Sequence, residues 1–323
     1  MSALLHLILM AYYPLLKNLP PSFDVLVPFI QFSKELEKEL ALSNKAIFFK
    51  SEKIFIVAPL LESPIWAQDW WPESKALFIE SKSQVLKFLK MMPVLGHYYD
   101  SFQSKFGKSL VQELRNLEKK RIKSDSTFDF KFFIWTAFED CLIYCESPFR
   151  RFPLGWHEFN EDKTFPPNRA YLKLWELFTV HHVKPESEDT VMDVGASPGG
   201  WSWVLSRYFK KVYSVDKAVL DPKINAIQNI QYISGDAFKV NSHQFQDCNW
   251  IFSDIICTPQ RSYDLILDWT ENSTIRNFVC TLKFKGDCNF DIIDKCLSLK
   301  GSKIIHLYQN KNEVTWFRQT HDK

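Results

Sequence analysis

Charge of one sign is what this chain lacks first: 40 basic and 38 acidic residues leave a net charge of +2 over 323 residues. That balance excludes a protein held to nucleic acid by bulk charge, so any such contact must come from local patches. Paired cysteines are lacking too. None of the seven cysteines forms a C-x-x-C pair, which removes a disulfide framework and a zinc knuckle. Cys141 and Cys145 have no second pair or suitable histidine, so they are expected to be buried free thiols. An odd number of thiols fits a reducing compartment, and a cytoplasmic location is expected. No run is apolar for long enough to cross a bilayer. Leu4 to Leu16 spans about a dozen residues with Pro14 inside it, too short for a membrane helix. It also lacks the flanks of a signal peptide. A core element of a soluble domain is expected there, with no membrane partner. His181, His182 and His306 lack the spacing and companions of a metal site; they are expected to be structural, and no metal is expected.

What is present suits two domains. The length and a hydrophobic content of 46% support real cores, and 15% aromatic residues belong mostly inside them. Residues 1–150 carry no Gly-rich turn and no acid–base cluster, and are expected to form an α+β domain. Strands are expected at Phe23–Ile30, at a hairpin around Lys50-Ser-Glu, at Phe128–Trp135 and at Cys141–Cys145. Helices are expected at Ser83–Met91 and Phe102–Ile122, the latter from Val111, Leu114 and Leu117. Glu118-Lys-Lys-Arg121 with Lys123 reads either as a solvated helix end or as a phosphate contact. Residues 151–167, with three prolines, Arg151 and Trp156, read as a linker; the Arg150-Arg151 pair beside aromatics also suits a grip on single-stranded RNA. A second domain is expected over 168–323.

That second domain is organised around residues 190–216. Thr190-Val-Met-Asp-Val194 reads as a buried parallel strand, after which Gly195, Gly199 and Gly200 make a turn into a helix that starts near Trp201. A strand, a Gly-rich turn and a helix N-terminus present free backbone N–H groups to a ligand. A further strand ends at Asp216, where a carboxylate suits the two hydroxyls of a ribose. A dinucleotide site wants G-x-G-x-x-G, and Ser197 occupies the middle glycine's place. Gly195-Ala-Ser197-Pro-Gly199 also matches a hydrolase nucleophile elbow, but that elbow needs an N–H after the serine and Pro198 has none. S-adenosyl-L-methionine carries a ribose and an adenine without phosphate, so it tolerates the missing glycine.

Asp193-Val-Gly-Ala-Ser-Pro-Gly-Gly-Trp-Ser202 resembles the first motif of the FtsJ-like ribose 2'-O-methyltransferases. Asn168-Arg-Ala-Tyr-Leu-Lys173-Leu-Trp-Glu176, Ser253-Asp254, Thr281-Leu-Lys283 and Glu313-Val-Thr315 are also similar to that family, and the resemblance runs over roughly residues 145–318. Within it, Ala67-Gln-Asp-Trp-Trp71 and Arg151-Phe-Pro-Leu-Gly-Trp156 look most similar to the RlmM type, which methylates large-subunit ribosomal RNA. The resemblance implies a Rossmann-like class I methyltransferase fold, a mostly parallel seven-stranded sheet whose last hairpin makes one strand antiparallel. It implies S-adenosyl-L-methionine held by Asp193, Gly195, Ser197, Pro198, Gly199, Gly200, Trp201, Asp216, Asp236, Ala237 and Asp254. It implies RNA as partner, ribosomal RNA above all, and an N-terminal domain that presents it. A monomer is expected.

Lys173, Asp254, Lys283 and Glu313 are then the catalytic residues. By resemblance Lys283 is the general base, Asp254 and Lys173 set its charge state, and Glu313 orients Lys283 or the hydroxyl. Without the family, Lys173 on a polar helix face with Arg169 and Glu176 is simply a solvated lysine. Two rivals share the fold: a non-catalytic RNA- or donor-binding module, and a 2'-O-methyltransferase acting on tRNA or a messenger cap. Base methylation is disfavoured, since Asp254-Ile-Ile-Cys-Thr-Pro259 lacks an N/D-P-P-Y-like acceptor motif.

Overall fold

The computed structural model describes residues 16–114, 121–123, 131–138, 140–183 and 186–320. The chain divides into two compact units, the first ending at Glu158 and the body of the second beginning at Phe159. Among the described residues no helix is long and apolar enough to cross a membrane. Most of the Leu4–Leu16 run lies outside the described residues, and Leu16 itself is fully buried.

Seven strands form the first unit's sheet: β1 (Phe23–Pro28), β2 (Ile47–Lys50), β3 (Phe55–Val57), β4 (Ala67–Phe78), β5 (Leu95–Tyr98), β6 (Phe132–Phe138) and β7 (Cys141–Cys145). Their order is β2-β3-β1-β4-β7-β6-β5, antiparallel except for β5 beside β6. The β2–β3 hairpin forms as its alternation predicts. The 12-residue β4 escapes sequence reading because Pro72 and several charged residues interrupt its alternation. Its first half pairs with β1 and its second with β7. The change of partner falls near Glu73, whose φ is 50° and whose N–H donates to the buried Asp24 carboxylate at 2.9 Å. Helices α1 (Ser33–Leu42), α2 (Lys82–Met91) and α3 (Lys105–Val111) accompany the sheet. The helix expected over Phe102–Ile122 is thus shortened to α3. Beyond it the N–H groups of Glu113 and Leu114 bond three residues back, closing tight turns in place of a continued helix. Residues 118–120 of the charged cluster lie outside the described residues, while Arg121 and Ile122 are extended.

Residues 151–167 are not a free linker. Leu154 O accepts from Gln68 Nε2 at 2.7 Å, and the Arg150 guanidinium that precedes them donates to Gln68 O and Ala67 O. These three bonds lie within the first unit. In the second, Asp162 caps the Thr164–Phe165 turn, and its carbonyl accepts from the Tyr171 hydroxyl at 3.1 Å.

The second unit carries the sheet that positions the site. Its strands are β8 (Thr190–Val194), β9 (Lys211–Asp216), β10 (Ile230–Ser234), β11 (Trp250–Ser253), β12 (Asn277–Lys283), β13 (Ser302–Ile305) and β14 (Glu313–Arg318). They lie in the order β10-β9-β8-β11-β12-β14-β13. All the pairs from β10 to β12 are parallel, and β14 is antiparallel to both of its neighbours. This is the Rossmann-like topology expected from the sequence. Valine-rich β8 is central, and four of its five residues are fully covered, as a strand packed on both faces must be.

Among the described residues its α-helices are α4 (Tyr171–Thr179), α5 (Gly200–Tyr208), α6 (Pro222–Asn225), α7 (Pro259–Asn272) and α8 (Phe290–Ser298). Rings from α4 and α5 meet as Trp175 and Trp203, 5.8 Å between centroids, and Phe178 reaches Phe252 of β11. Tyr263 of α7 stacks on Trp316 of β14.

Candidate active site

In a parallel sheet, ligands sit where the strands end. Here β8 runs into Gly195 and Ala196, whose N–H groups both donate to Val215 O of β9. Gly195 has φ 77° and Gly199 φ 111°, both in the left-handed region open to glycine. Side chains would also have no room: a Cβ on Gly195 meets Ile255, and one on Gly199 meets Ile224. The turn then leads into α5 at Gly200, where a Cβ would strike the side chain of Asn168. Ser197 and Pro198 form a cis peptide; the Ser197 hydroxyl donates to Val219 O at 2.9 Å, and Pro198 O accepts from Asp221 N.

Asp216 ends β9, and its two oxygens accept from Ser197 N at 3.0 Å and Ala218 N at 2.9 Å. That fixes the carboxylate at the edge while leaving each oxygen capacity for one more donor. Asp236 caps the turn at Ala237. The Lys217 ammonium, 2.9 Å away, holds its carboxyl below the usual carboxylate range.

Two residues expected to touch the donor do other work. Asp193 is 1% exposed; its carboxylate accepts from Ser202 Oγ at 2.6 Å, so it braces the turn from beneath. Burial pushes its acid up to about 7, against the lowering effect of that hydrogen bond. Trp201 is buried, and its indole N–H donates to Ala170 O at 3.0 Å, tying α5 to the start of α4.

The four expected catalytic side chains meet in one ion cluster. Lys173 Nζ lies 3.0 Å from Asp254 Oδ1 and 2.5 Å from Glu313 Oε1. Lys283 Nζ lies 2.9 Å from Asp254 Oδ1 and donates to the Asp254 backbone oxygen at 2.7 Å. Asp254 follows β11, Lys283 ends β12, and Glu313 begins β14, directly opposite Lys283 in register. An antiparallel strand begins where its neighbours end, which brings all of them to one edge.

Lys173 sits on the face of α4 that sequence alone would leave in water. Instead every residue of α4 is buried. Glu313 reaches Lys173 and not Lys283, which revises its expected role: its carboxylate compensates the helix lysine. Thr281, quoted in a motif but given no role from the sequence, donates its hydroxyl to Asp254 Oδ1 at 2.7 Å. Burial alone would raise the Asp254 acid, but Lys173 and Lys283 overcome that and hold it below the usual range. Burial would likewise lower Lys173, and Asp254 with Glu313 outweigh it, leaving its ammonium above the usual lysine range. Asp254 and Lys173 are therefore both charged at neutral pH.

Residues 166–314 match the FtsJ-like methyltransferase family. That span carries the Gly-rich turn and all four residues of the ion cluster. Among curated proteins, the chain is similar to the ribosomal RNA large subunit methyltransferase M of Methylococcus capsulatus, 28% identical over 166 residues that cover 47% of each chain. It is also similar to that of Teredinibacter turnerae, 30% identical over 168 residues, 46% of this chain and 47% of that one. The chain spans about half the length of the curated relatives it matches. Among solved structures, Aeropyrum pernix fibrillarin with bound S-adenosyl-L-methionine is a remote likeness: TM-score 0.36, 16% identity, 46% of this chain and 73% of that one. An rRNA methylase from Streptococcus thermophilus is another, with TM-score 0.33, 11% identity, and coverage of 50% of this chain and 100% of that one.

FtsJ-like enzymes draw their methyl group from S-adenosyl-L-methionine, and the edge of this domain fits that donor. Asp216 is pinned where ribose hydroxyls could bond it. Val219 and Ile256, 75% and 85% exposed, follow the strand ends that carry Asp216 and Asp254 and offer apolar surface for a purine. Sequence reading passed over both, since an isolated aliphatic residue in a loop carries no signal without the topology.

Proposed function

We propose that this chain transfers a methyl group from S-adenosyl-L-methionine to a ribose 2'-hydroxyl of RNA, with large-subunit ribosomal RNA as the substrate. The observation that carries the reading is the Lys173–Asp254–Lys283–Glu313 cluster at the carboxyl edge of the sheet, beside the Gly195–Gly200 turn. The names of the curated relatives support ribosomal RNA as the substrate class.

The sulfonium donor supplies an activated methyl group, so the protein's task is to align a weak nucleophile and remove its proton. A neutral amine has two N–H bonds and a lone pair. Lys283 directs its N–H bonds at Asp254, and in this proposal its lone pair points to the acceptor hydroxyl. As the O–CH3 bond forms and the S–CH3 bond breaks, the hydroxyl proton passes to Lys283 Nζ, which reacts as the neutral amine. Asp254 orients that amine through both its carboxylate and its carbonyl. Lys173 offsets the charge of Asp254, and Glu313 offsets that of Lys173, so the new ammonium on Lys283 completes a balanced set of two cations and two anions.

The test is methylation of ribosomal RNA with methyl-labelled donor, followed by mapping of the modified position. Label on a ribose oxygen is expected, and label on a base would sink the reading. Lys283→Ala is expected to slow single-turnover methylation at least ~100-fold, the usual range for general-base loss.

A further inference from the structure

One buried acid of the second unit lies beside the ion cluster without belonging to it. Glu176 is 2% exposed and stands three residues after Lys173, on the same side of α4. Its carboxylate accepts two backbone N–H groups from the segment joining β13 to β14: Tyr308 N to Oε1 at 2.7 Å and Gln309 N to Oε2 at 3.0 Å. His181 Nε2 stands 3.8 Å from Oε1. A carboxylate buried this deeply is costly unless it is bonded, and a fork that spends both oxygens on consecutive amides fixes the segment's position and direction together.

That segment delivers Glu313. After Gln309 the chain is held by the Asn310 amide at Thr315 Oγ1, 3.2 Å, and by the Asn312 amide at Phe284 O, 2.9 Å. Phe284 directly follows Lys283, so the segment is sewn to the end of β12 as well as to α4. Helix α4 thus grips the β13–β14 connection at two points, through Glu176 at 308–309 and through the Lys173–Glu313 ion pair at 313.

We infer that Glu176 is a positioning residue for methyl transfer, acting through Glu313: its fork sets the connection so that the Glu313 carboxylate meets Lys173. This rests on the proposed ribose methylation for its kinetic consequence, but the clamp itself does not. Glutamine at 176 keeps the length and one acceptor but turns an NH2 toward one of the two amide N–H groups, so one arm of the fork becomes a repulsion.

The test combines rates with amide exchange on the full chain. Glu176→Gln is expected to slow saturating single-turnover methylation about 10-fold or more, with binding of S-adenosylhomocysteine and the KM for RNA changed less than about 3-fold. Glu176→Asp, which keeps both oxygens, is expected to recover part of the rate. In a Glu313→Gln background, Glu176→Gln is expected to cost less than about 2-fold more, because its route of action is already cut. Hydrogen exchange at the Tyr308 and Gln309 amides is expected to quicken by at least 10-fold in Glu176→Gln. Full rate losses that multiply in the double variant, or a rate equal to that of the parent, would overturn the inference. So would unchanged exchange at the two amides. If the parent chain methylates no RNA, the functional proposal fails by itself, and the exchange result alone decides whether the clamp exists.

Discussion

At the scale of single residues, the chain places acids in two electrical situations and the pH response separates them. Asp254 is ionised by its lysines, whereas Asp193, with no cation among the influences on it, is pushed up to about 7 by burial. Asp69 of the first unit, fully buried, is also pushed up to about 7 by burial, against the pull of Arg150. For such a raised acid, the folded state holds a proton that the unfolded chain releases above pH ~3.9, so stability falls as pH rises from there to about 7. At Asp193, whose acid is pushed up to about 7, the full cost is on the order of 4 kcal/mol at 1.36 kcal/mol per tenfold change in proton affinity. Asp193→Asn keeps an acceptor for Ser202 and removes the ionisation. Denaturant melts should show the variant gaining on the parent as pH goes from 5 to 8; a constant difference would show that Asp193 does not titrate there. Asp254 works in the opposite direction. Its acid is depressed, so its contribution is present above pH ~3.9 and lost as pH falls through the still lower folded value. Lys173, raised, contributes below pH ~10.4 and loses that contribution as pH climbs through its folded value. The cluster is therefore intact throughout the window in which Asp193 titrates, and the two effects do not overlap.

At the scale of elements, the strand–turn–helix at 190–208 is the one most exposed to backbone change. Gly195→Ala puts a side chain at a φ of 77° and into Ile255, so a loss of at least ~1 kcal/mol is expected from the backbone alone. The displaced turn should also weaken S-adenosylhomocysteine binding by calorimetry more than ~10-fold. Trp201→Phe keeps the ring and removes the N–H that holds Ala170 O. About 1 kcal/mol is expected from chemical denaturation, with little change in donor affinity, since Trp201 is buried under the turn. Helix α4 shows how an element can be read correctly in type and wrongly in environment. Its apolar stripe at Tyr171, Leu174, Trp175 and Phe178 identifies a helix, but nothing in its period shows that the opposite side is covered as well. The same limit explains β4: burial within two different pairings, not alternation, makes it a strand.

At the scale of the whole molecule, the two units make separable demands. The second holds the Gly-rich turn, Asp216 and the ion cluster. A fragment of residues 159–323 is expected to fold and to bind S-adenosylhomocysteine within a few-fold of the full chain. If the first unit presents RNA, as the family resemblance implies, the fragment should bind ribosomal RNA at least ~10-fold more weakly in a filter or fluorescence titration. Equal RNA affinity would remove that role from the first unit. A net charge of +2 fits recognition by local surface in place of bulk attraction.

The amino-acid order by itself determined the second unit's architecture, because a buried strand, a glycine turn at positive φ, and acids at strand ends each have a local signature that survives without neighbours. Resemblance to the FtsJ-like family, and not periodicity, singled out Lys173, Asp254, Lys283 and Glu313 as one set. Tertiary structure alone decided which of them pair. Glu313 went to Lys173 of α4, and Asp193 withdrew under the turn because Ser202 of α5 bonds it there. Glu176 became a clamp because the β13–β14 connection crosses its helix. The Glu313 and Glu176 contacts join segments far apart in sequence, and a hydrogen bond across such a distance leaves no periodicity in the chain to be read.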